Sequence, residues 1–431
     1  MLSNAPIPTV INQNLFGLST SATVTINEKS KLLERQGKKV FKLGFGQSPF
    51  PVPDLVVNAL KEHAHEKDYL AVRGLPALRE AISNFVNHRK GTRSTPDEVL
   101  IGPGSKELMF LLQLSYYGEI VIPAPSWVSY APQAQIIGRS VTRVGTRISN
   151  GLLLMPDELE AICAADPERP RLVILNYPAN PTGTTYDRQT LMTMAEVARH
   201  YKVIVLSDEI YSELDHKGAH TSIAQFYPEG TIISGGLSKW CGAGGWRLGF
   251  FVFPNGLKRL MQAMTICASE TFTSTSAPIQ YAAVSAFLET PEIEEYLGLV
   301  RRSLAAVGSY MRVRLQQAKV EIPHPQGGFY LFPDFGHYRD ALHRRGIATD
   351  RDFCRLLLDE AGVALLPGSD FGCRESTFST RLSYVDFDGR EVLEACRALP
   401  AGREPDDDFV EAHCPKIAEA TTVLCQWLAG L

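Results

Sequence analysis

The chain has 431 residues, 45% of them apolar and 21% charged, with a formal net charge of −4. That length allows two or three domains and a large core, and so mild a charge gives no electrostatic case for nucleic acid or an anionic membrane as a partner. No run reaches the roughly 18 apolar residues that span a bilayer, and the opening M-L-S-N-A-P-I-P-T-V lacks both the basic stretch and the apolar core of a secretory signal.

Thr25 and Glu28 have the spacing of a capping box for a short helix that Gly37 ends. V-F-K-L-G-F-G (40–46) reads as a strand leading into the proline-rich Q-S-P-F-P-V-P. Leu75, Leu78, Ile82, Phe85 and Val86 then recur at helical spacing. Short apolar runs follow: V-L-I (99–101), E-I-V-I (119–122), L-V-I-L (172–175), V-I-V-L (203–206), T-I-I-S (231–234) and G-F-F-V-F (249–253), with a helix over S-K-E-L-M-F-L-L (105–112). Strands of this kind with helices between them predict a mostly parallel sheet buried on both faces, an α/β architecture. Helical segments dominate 276–319, and a long one there would bridge two domains. G-G-F-Y-L-F-P, a helix over 350–361, V-A-L-L-P, R-L-S-Y-V and another helix predict a smaller α+β unit. A-G-R-E-P-D-D-D (401–408) reads as a surface linker, and the segment from Pro415 to Leu428 as a docked amphipathic helix.

The eight cysteines are scattered without a C-x-x-C, the pattern of reduced, packed thiols in a cytosolic protein. His216 and His220 are four apart but lie in the loop-like H-K-G-A-H, so no metal site is expected.

Ligands in an open α/β sheet bind outside the carboxyl ends of its strands, so the residues following each strand are the candidates. They are G-P-G-S-K-E, P-A-P-S-W, N-Y-P-A-N-P-T-G, S-D-E-I-Y and G-G-L-S-K. G-P-G-S-K-E opens a helix, whose N-terminal amides suit a phosphate. It is neither G-x-G-x-x-G nor G-x-x-x-x-G-K-S/T, which argues against a nicotinamide dehydrogenase. Trp127 serves as core or as a stacking platform, and Asn180 has the chemistry of a turn. Asp208 follows an apolar strand directly and needs a cationic partner if buried; Tyr211 lies near it in sequence. In S-K-W-C-G-A-G-G-W-R-L-G (238–249), glycines let backbone approach a ligand and a lysine is placed for covalent work.

Taken in order, Y-x-x-x-x-G-x-x-x-L-R-E-A, G-S-K-E, P-S-W-V-S-Y, N-x-P-x-N-P-T-G, S-D-E-I-Y, S-K-x-x-x-x-x-G-W-R-L-G and R-L-S-Y resemble the class I/II aminotransferases. These are pyridoxal-phosphate enzymes of fold type I related to aspartate aminotransferase, and the likeness runs from about Gly46 to Tyr384. The resemblance implies a large domain with a mostly parallel seven-stranded sheet between helices and a smaller α+β domain made from both chain ends. The expected division is 1–50 in the small domain, 51–300 as the cofactor domain, and 301–431 as the C-terminal small domain with the bridging helix.

Residue by residue, the resemblance makes Lys239 the lysine that holds pyridoxal phosphate as an internal Schiff base and then moves a proton. Asp208 pairs with the ring nitrogen, Asn180 and Tyr211 donate to the phenolic oxygen, and Trp127 stacks on the ring. The amides of Ser105 and Lys106, with Arg247, form the phosphate cup, which Tyr69 completes from the other subunit of a homodimer. Arg381 clamps the substrate α-carboxylate, with help from the Gly46 backbone. The implied reaction is a ping-pong transfer of an amino group between an α-amino acid and a 2-oxo acid in the cytoplasm. The alternative is β- or γ-elimination or replacement on the same fold. A non-catalytic regulatory module would need a DNA-binding segment, and the residues before Gly46 show no helix-turn-helix pair and no basic cluster.

The sequence departs from the family's pattern at Gly236, where some members carry a phosphate-binding serine that Ser238 would replace. Lys106 adds a charge beside the phosphate or faces solvent. No second arginine for a dicarboxylate is evident; Arg73, Arg301 and Arg302 read as surface charges. Cys241 reads as an inert packed thiol, and Phe371, in P-G-S-D-F-G, as a wall near the substrate.

Overall fold

The computed structural model describes residues 10–18, 22–400 and 402–431. Parts of the N-terminal segment 1–24 and Ala401, in the expected linker, therefore lie outside the described residues. Seven strands, β1 (Val99–Gly102), β2 (Glu119–Ala124), β3 (Val141–Gly145), β4 (Arg171–Asn176), β5 (Ile204–Asp208), β6 (Thr231–Gly236) and β7 (Gly249–Val252), form one sheet in the order β1-β7-β6-β5-β4-β2-β3. β2 pairs in parallel with β3 and β4, β4 with β5 and β5 with β6, while β7 runs antiparallel to both β1 and β6.

The two-residue period of a strand explains why this sheet is apolar throughout. Leu172 and Ile174 of β4 join a core with Leu108, Leu112 and Phe251, whereas Val173 and Leu175 join another with Leu191, Met194 and Ala198 of the helix Arg188–His200. Both faces are covered, so no position along β4 needs a polar residue. This is the expected α/β sheet. β3 was not anticipated: V-T-R-V-G is an edge strand, half exposed, without an apolar run to mark it.

A helix of 27 residues, Pro291–Gln317, leads to a second sheet of β8 (Tyr330–Leu331), β9 (Leu366–Pro367) and β10 (Thr380–Ser383), antiparallel in the order β8-β10-β9. The helices Asp350–Ala361, Gly389–Ala398 and Pro415–Ala429 lie where the sequence placed them.

Three local expectations are corrected. The helix Ala22–Arg35 already includes Thr25, which is therefore not its cap. Residues 40–46 make one bridge, Phe41 with Val363, rather than a strand; Leu43 and Gly44 instead give their carbonyls to Ser383 and Arg381. Within 401–408, Asp406 caps the helix Asp407–His413 by accepting from the Phe409 amide at 3.0 Å. Its acids thus serve a helix N-terminus, where the macrodipole favours negative charge.

Arg301 is not a surface charge either. Its Nε donates to Glu213 O at 2.7 Å and its Nη2 lies 3.4 Å from Glu213 Oε2. Lys90 Nζ is 2.9 Å from Glu213 Oε1 and 3.7 Å from Glu209 Oε2. His220 Nε2 lies 3.0 Å from Glu209 Oε2, and the Ser207 and Ser222 hydroxyls donate to Glu209 Oε1. Burial alone would raise the Glu213 carboxyl; Lys90, with Arg89 and Arg301, reverses this and holds it at about 2.

A folded value below the unfolded one means that ionised Glu213 stabilises the fold above about pH 4.5, a contribution lost as pH falls through about 2. Glu213→Ala strands Lys90 and Arg301 and should cost about 3–5 kcal/mol at neutral pH. In denaturant titrations the gap to the wild type should narrow towards pH 2. A gap that stays constant would refute the ionised pairing.

Candidate functional site

The exits of β4, β5 and β6 and the start of the helix Ser105–Ser115 surround a cavity of about 340 Å³. Its lining includes Ser105, Lys106, Trp127, Asn180, Asp208, Tyr211, Ser238, Lys239 and Arg247, nine of the residues singled out from sequence, together with Asn176 and Ile210.

Asp208 ends β5 with its side chain buried. Tyr130 donates to its Oδ2 at 2.5 Å, while Oδ1 is buried without a hydrogen-bond partner. Burial raises the carboxyl to about 6, in spite of the Tyr130 hydrogen bond. A bare carboxylate oxygen in an apolar interior is costly until a cation or an N–H meets it, so this atom marks where a ligand's donor belongs.

Asn176 ties the neighbouring strand exit to β5. Its Nδ2 donates to Asp208 O at 2.8 Å, and its Oδ1 accepts from the Asn180 amide at 2.7 Å. Asn180 Oδ1 accepts from Arg381 Nη1 at 3.2 Å. Arg381 is 2% exposed; its Nη2 donates to Gly44 O at 2.8 Å, and its guanidinium lies 4.7 Å from the Tyr330 ring centroid and 5.1 Å from that of Phe371. Its Nε has no partner. Every hydrogen-bond acceptor it has is neutral, so it keeps an uncommitted charge for a carboxylate.

The helix Ser105–Ser115 begins at Gly104 with no side-chain cap, leaving its first amides available. Gly104 has φ +94°, and a Cβ there would sit 2.4 Å from Arg247 Nη2. Glycine thus lets the guanidinium lie against the helix N-terminus. Arg247 itself has φ +55°, a costly conformation for a non-glycine residue that its neighbours impose. Lys106 is exposed and yet borders the cavity: its Nζ lies 5.2 Å from the Trp127 ring centroid, and its pKa is lowered by partial burial and then by Arg247 and Lys239. Lys239 Nζ donates to Gly46 O at 2.9 Å.

Other candidates lie elsewhere. Tyr69 is 89% exposed and absent from its own chain's cavity. Arg73 lies 3.7 Å from Asp97, and Arg302 pairs with Glu404 at 2.9 Å. Gly236 closes β6. Cys241 is buried, and burial pushes its thiol far up. Phe371 packs edge-on to Phe332. His216 faces Gly328 O while His220 faces Glu209, so the two do not converge. Among the described residues no group of three or more His, Cys, Asp or Glu is arranged to hold a metal ion, and no helix is long and apolar enough to cross a membrane.

Sequence reasoning missed Tyr130, Asn176 and Tyr330. Tyr130 was within reach: it lies three residues after Trp127, and their rings meet edge to face at 5.2 Å. Tyr330 carried no local signal, because its partners are 119 and 284 residues away.

The seven-stranded, mostly parallel sheet between helices is that of the fold type I enzymes. The sequence model of the family Aminotransferase class I and II matches residues 38–399. The chain belongs to that family and is an enzyme that transfers amino groups. It is 35% identical over 392 residues to an aspartate aminotransferase of Geobacillus stearothermophilus, covering 86% of this chain and 94% of the relative. It is 33% identical over 405 residues to an aspartate/prephenate aminotransferase of Cereibacter sphaeroides, covering 91% and 98%. The structure of an aspartate aminotransferase from Thermus thermophilus with maleate superposes with a TM-score of 0.80 at 27% identity, covering 91% of this chain and all of that one.

Asp208 gives a pH prediction for the ligand-free protein. Its folded pKa of about 6 exceeds the ordinary 3.8, so the unfolded chain ionises first and stability falls between those values as pH rises. Asp208→Asn should therefore gain stability at pH 8, on the order of 3 kcal/mol, and almost none at pH 3. Equal stability of the two proteins at pH 8 would refute the raised value.

Proposed function

We propose that the chain transfers amino groups with pyridoxal phosphate held in the 340 Å³ cavity, between an acidic α-amino acid and a 2-oxo acid. The single observation that carries this reading is the bare, buried Oδ1 of Asp208 in a cavity that also presents Lys239. Pyridoxal phosphate fits the lining, which offers one carboxylate for a ring N–H and an uncapped helix start beside an arginine for a phosphate.

When bound, the group supplies an aldehyde for the amino group and a cationic ring that takes up the electron pair left at the substrate Cα. Asp208 holds the ring nitrogen protonated. Tyr211, whose phenol stays neutral because burial raises its pKa, donates to the phenolic oxygen together with Asn180. Trp127 stacks on the ring. The amides of Ser105 and Lys106 bind the phosphate with Arg247 and Ser238, and Arg381 binds the substrate α-carboxylate. Lys239 would hold the group by its amine, and that amine, when free, would be the base that moves the proton at the substrate Cα. The two half-reactions share one cavity, so the first product leaves before the acceptor enters.

The acidic donor is read from Lys106. With Arg247 given to the phosphate, Lys239 to the cofactor and Arg381 to the α-carboxylate, Lys106 is the cation left for a second carboxylate. The ionic groups that shift its pKa, Arg247 and Lys239, are both cationic. The names of both relatives favour transfer over elimination or replacement, and both name aspartate.

Tyr69, exposed here, is assigned to the phosphate site of a second copy in a homodimer. Residues 51–300 are read as the cofactor domain, with 1–50 and 301–431 as the part that closes on substrate. All eight cysteines are free thiols, which suits the reducing cytoplasm.

Lys239→Ala should lose both turnover and the visible absorbance of bound cofactor; normal turnover in that variant would end the covalent role. Lys106→Gln should lower kcat/KM for aspartate about tenfold to a hundredfold, the scale of a hydrogen bond to a charged group, and change it little for alanine. An equal loss for both donors would assign Lys106 to the phosphate instead.

A further inference from the structure

Tyr330 stands at the meeting point of three parts of the site and has no assigned role. Its hydroxyl lies 3.0 Å from Tyr211 Oη and 3.4 Å from Gly46 O. Its ring carries the Arg381 guanidinium at 4.7 Å. Its backbone is paired in β8 with Ser383, two residues beyond Arg381. Gly46 is shaped around it, since a Cβ there would sit 2.1 Å from the Tyr330 hydroxyl. The side chain is 1% exposed.

A phenol has one proton to give. Two carriers of such a proton, Tyr211 and Tyr330, face each other, with Gly46 O as a further acceptor. At 3.4 Å against 3.0 Å for Tyr211 Oη, Gly46 O is the more distant acceptor and has the weaker claim on the Tyr330 proton. If Tyr211 gave its proton to Tyr330, it would have none left for the cavity. If Tyr330 gives its proton to Tyr211, the Tyr211 proton is free to point into the cavity, and the donor is strengthened by the bond it accepts.

We propose that Tyr330 is a positioning residue whose hydroxyl donates to Tyr211 and so directs the single Tyr211 proton onto the phenolic oxygen of the cofactor. This rests on the reading of Tyr211 as donor to that oxygen. Arg381 and Gly46 hold the Tyr330 ring and hydroxyl in the required place, so the residue that receives the substrate carboxylate also steadies the one that orients the cofactor.

The test measures the affinity of cofactor-free protein for pyridoxal phosphate and for 3-deoxypyridoxal phosphate, which lacks the phenolic oxygen, by quenching of tryptophan fluorescence. Tyr330→Phe keeps the ring beneath Arg381, and an unchanged melting temperature confirms that the fold is retained. It should weaken pyridoxal phosphate about threefold to tenfold, the scale of one neutral hydrogen bond, and leave the deoxy compound unaffected. Tyr211→Phe should show the same selectivity, and the double variant should bind no more weakly than Tyr211→Phe alone, since residues acting as one unit are not additive. Equal weakening of both ligands by Tyr330→Phe, no weakening of either, or additive losses in the double variant would overturn the proposal. If Tyr211→Phe itself treats the two ligands alike, the underlying reading of Tyr211 fails instead.

Discussion

Asp208 is enclosed at the end of β5 with Tyr130 donating to one carboxylate oxygen and nothing donating to the other. Burial makes this group expensive to ionise, and the raised pKa is the measure of that expense. A hydrophobic residue would pack there at no such cost. What the carboxylate provides is a fixed negative charge that a cationic ligand group can neutralise without further rearrangement. The rest of the lining bears the opposite sign: Lys106, Lys239 and Arg247 outnumber the one acid. A ligand that satisfies all of them is anionic overall but carries one cationic donor, which is the charge pattern of a protonated pyridine bearing a phosphate.

The same reasoning applies to Arg381, among the largest fully buried side chains of the chain. Its hydrogen bonds go to a backbone carbonyl and an amide oxygen, its faces meet two aromatic rings, and its Nε has no partner. These contacts fix its direction without neutralising it. A paired arginine would have to break an ion pair before taking a substrate carboxylate. Arg381 has none to break, so the full charge-assisted bond is available for binding. Asn180 links the two halves of the problem, because it accepts from Arg381 through its oxygen and keeps its amide hydrogens for the cavity.

How much of this was readable from the chain follows from how far each signal travels. Strand exits are local: an apolar run followed by D-E-I-Y or S-K names its own position, and the rule that ligands sit at carboxyl ends brings Asp208, Lys239, Asn180 and Ser105 to one crevice. The bare Oδ1 and the grip of Tyr130 are not local, since 78 residues separate that pair. Tyr330 is more remote still, and only the antiparallel pairing of β8 with β10 brings it beside Arg381. Lys106 was ambiguous because the first residues of a helix point side chains in several directions; it is exposed, and only its approach to the Trp127 ring places its amine at the cavity's border. Arg301 was misread for a related reason: a charge on a long amphipathic helix looks solvated until a buried carboxylate from another element, Glu213, is placed against it.

In D-E-I-Y-S-E, residues 208 to 213, Asp208 and Tyr211 line the cavity, whereas Glu209 and Glu213 enter the ion network with Lys90, Arg301 and His220. Successive side chains leave the backbone on opposite sides, so turning Glu209 out of its network would turn Asp208 away from the cavity. Well-packed apolar residues could replace these buried ion pairs with little loss of stability, as holds for many such pairs. They would not define the rotation of the segment, because apolar contacts are nondirectional. Glu209 accepts from Ser207 and Ser222 and faces His220 and Lys90, four contacts with fixed directions. The aim of the bare carboxylate oxygen in front is therefore set by the satisfied carboxylates behind it.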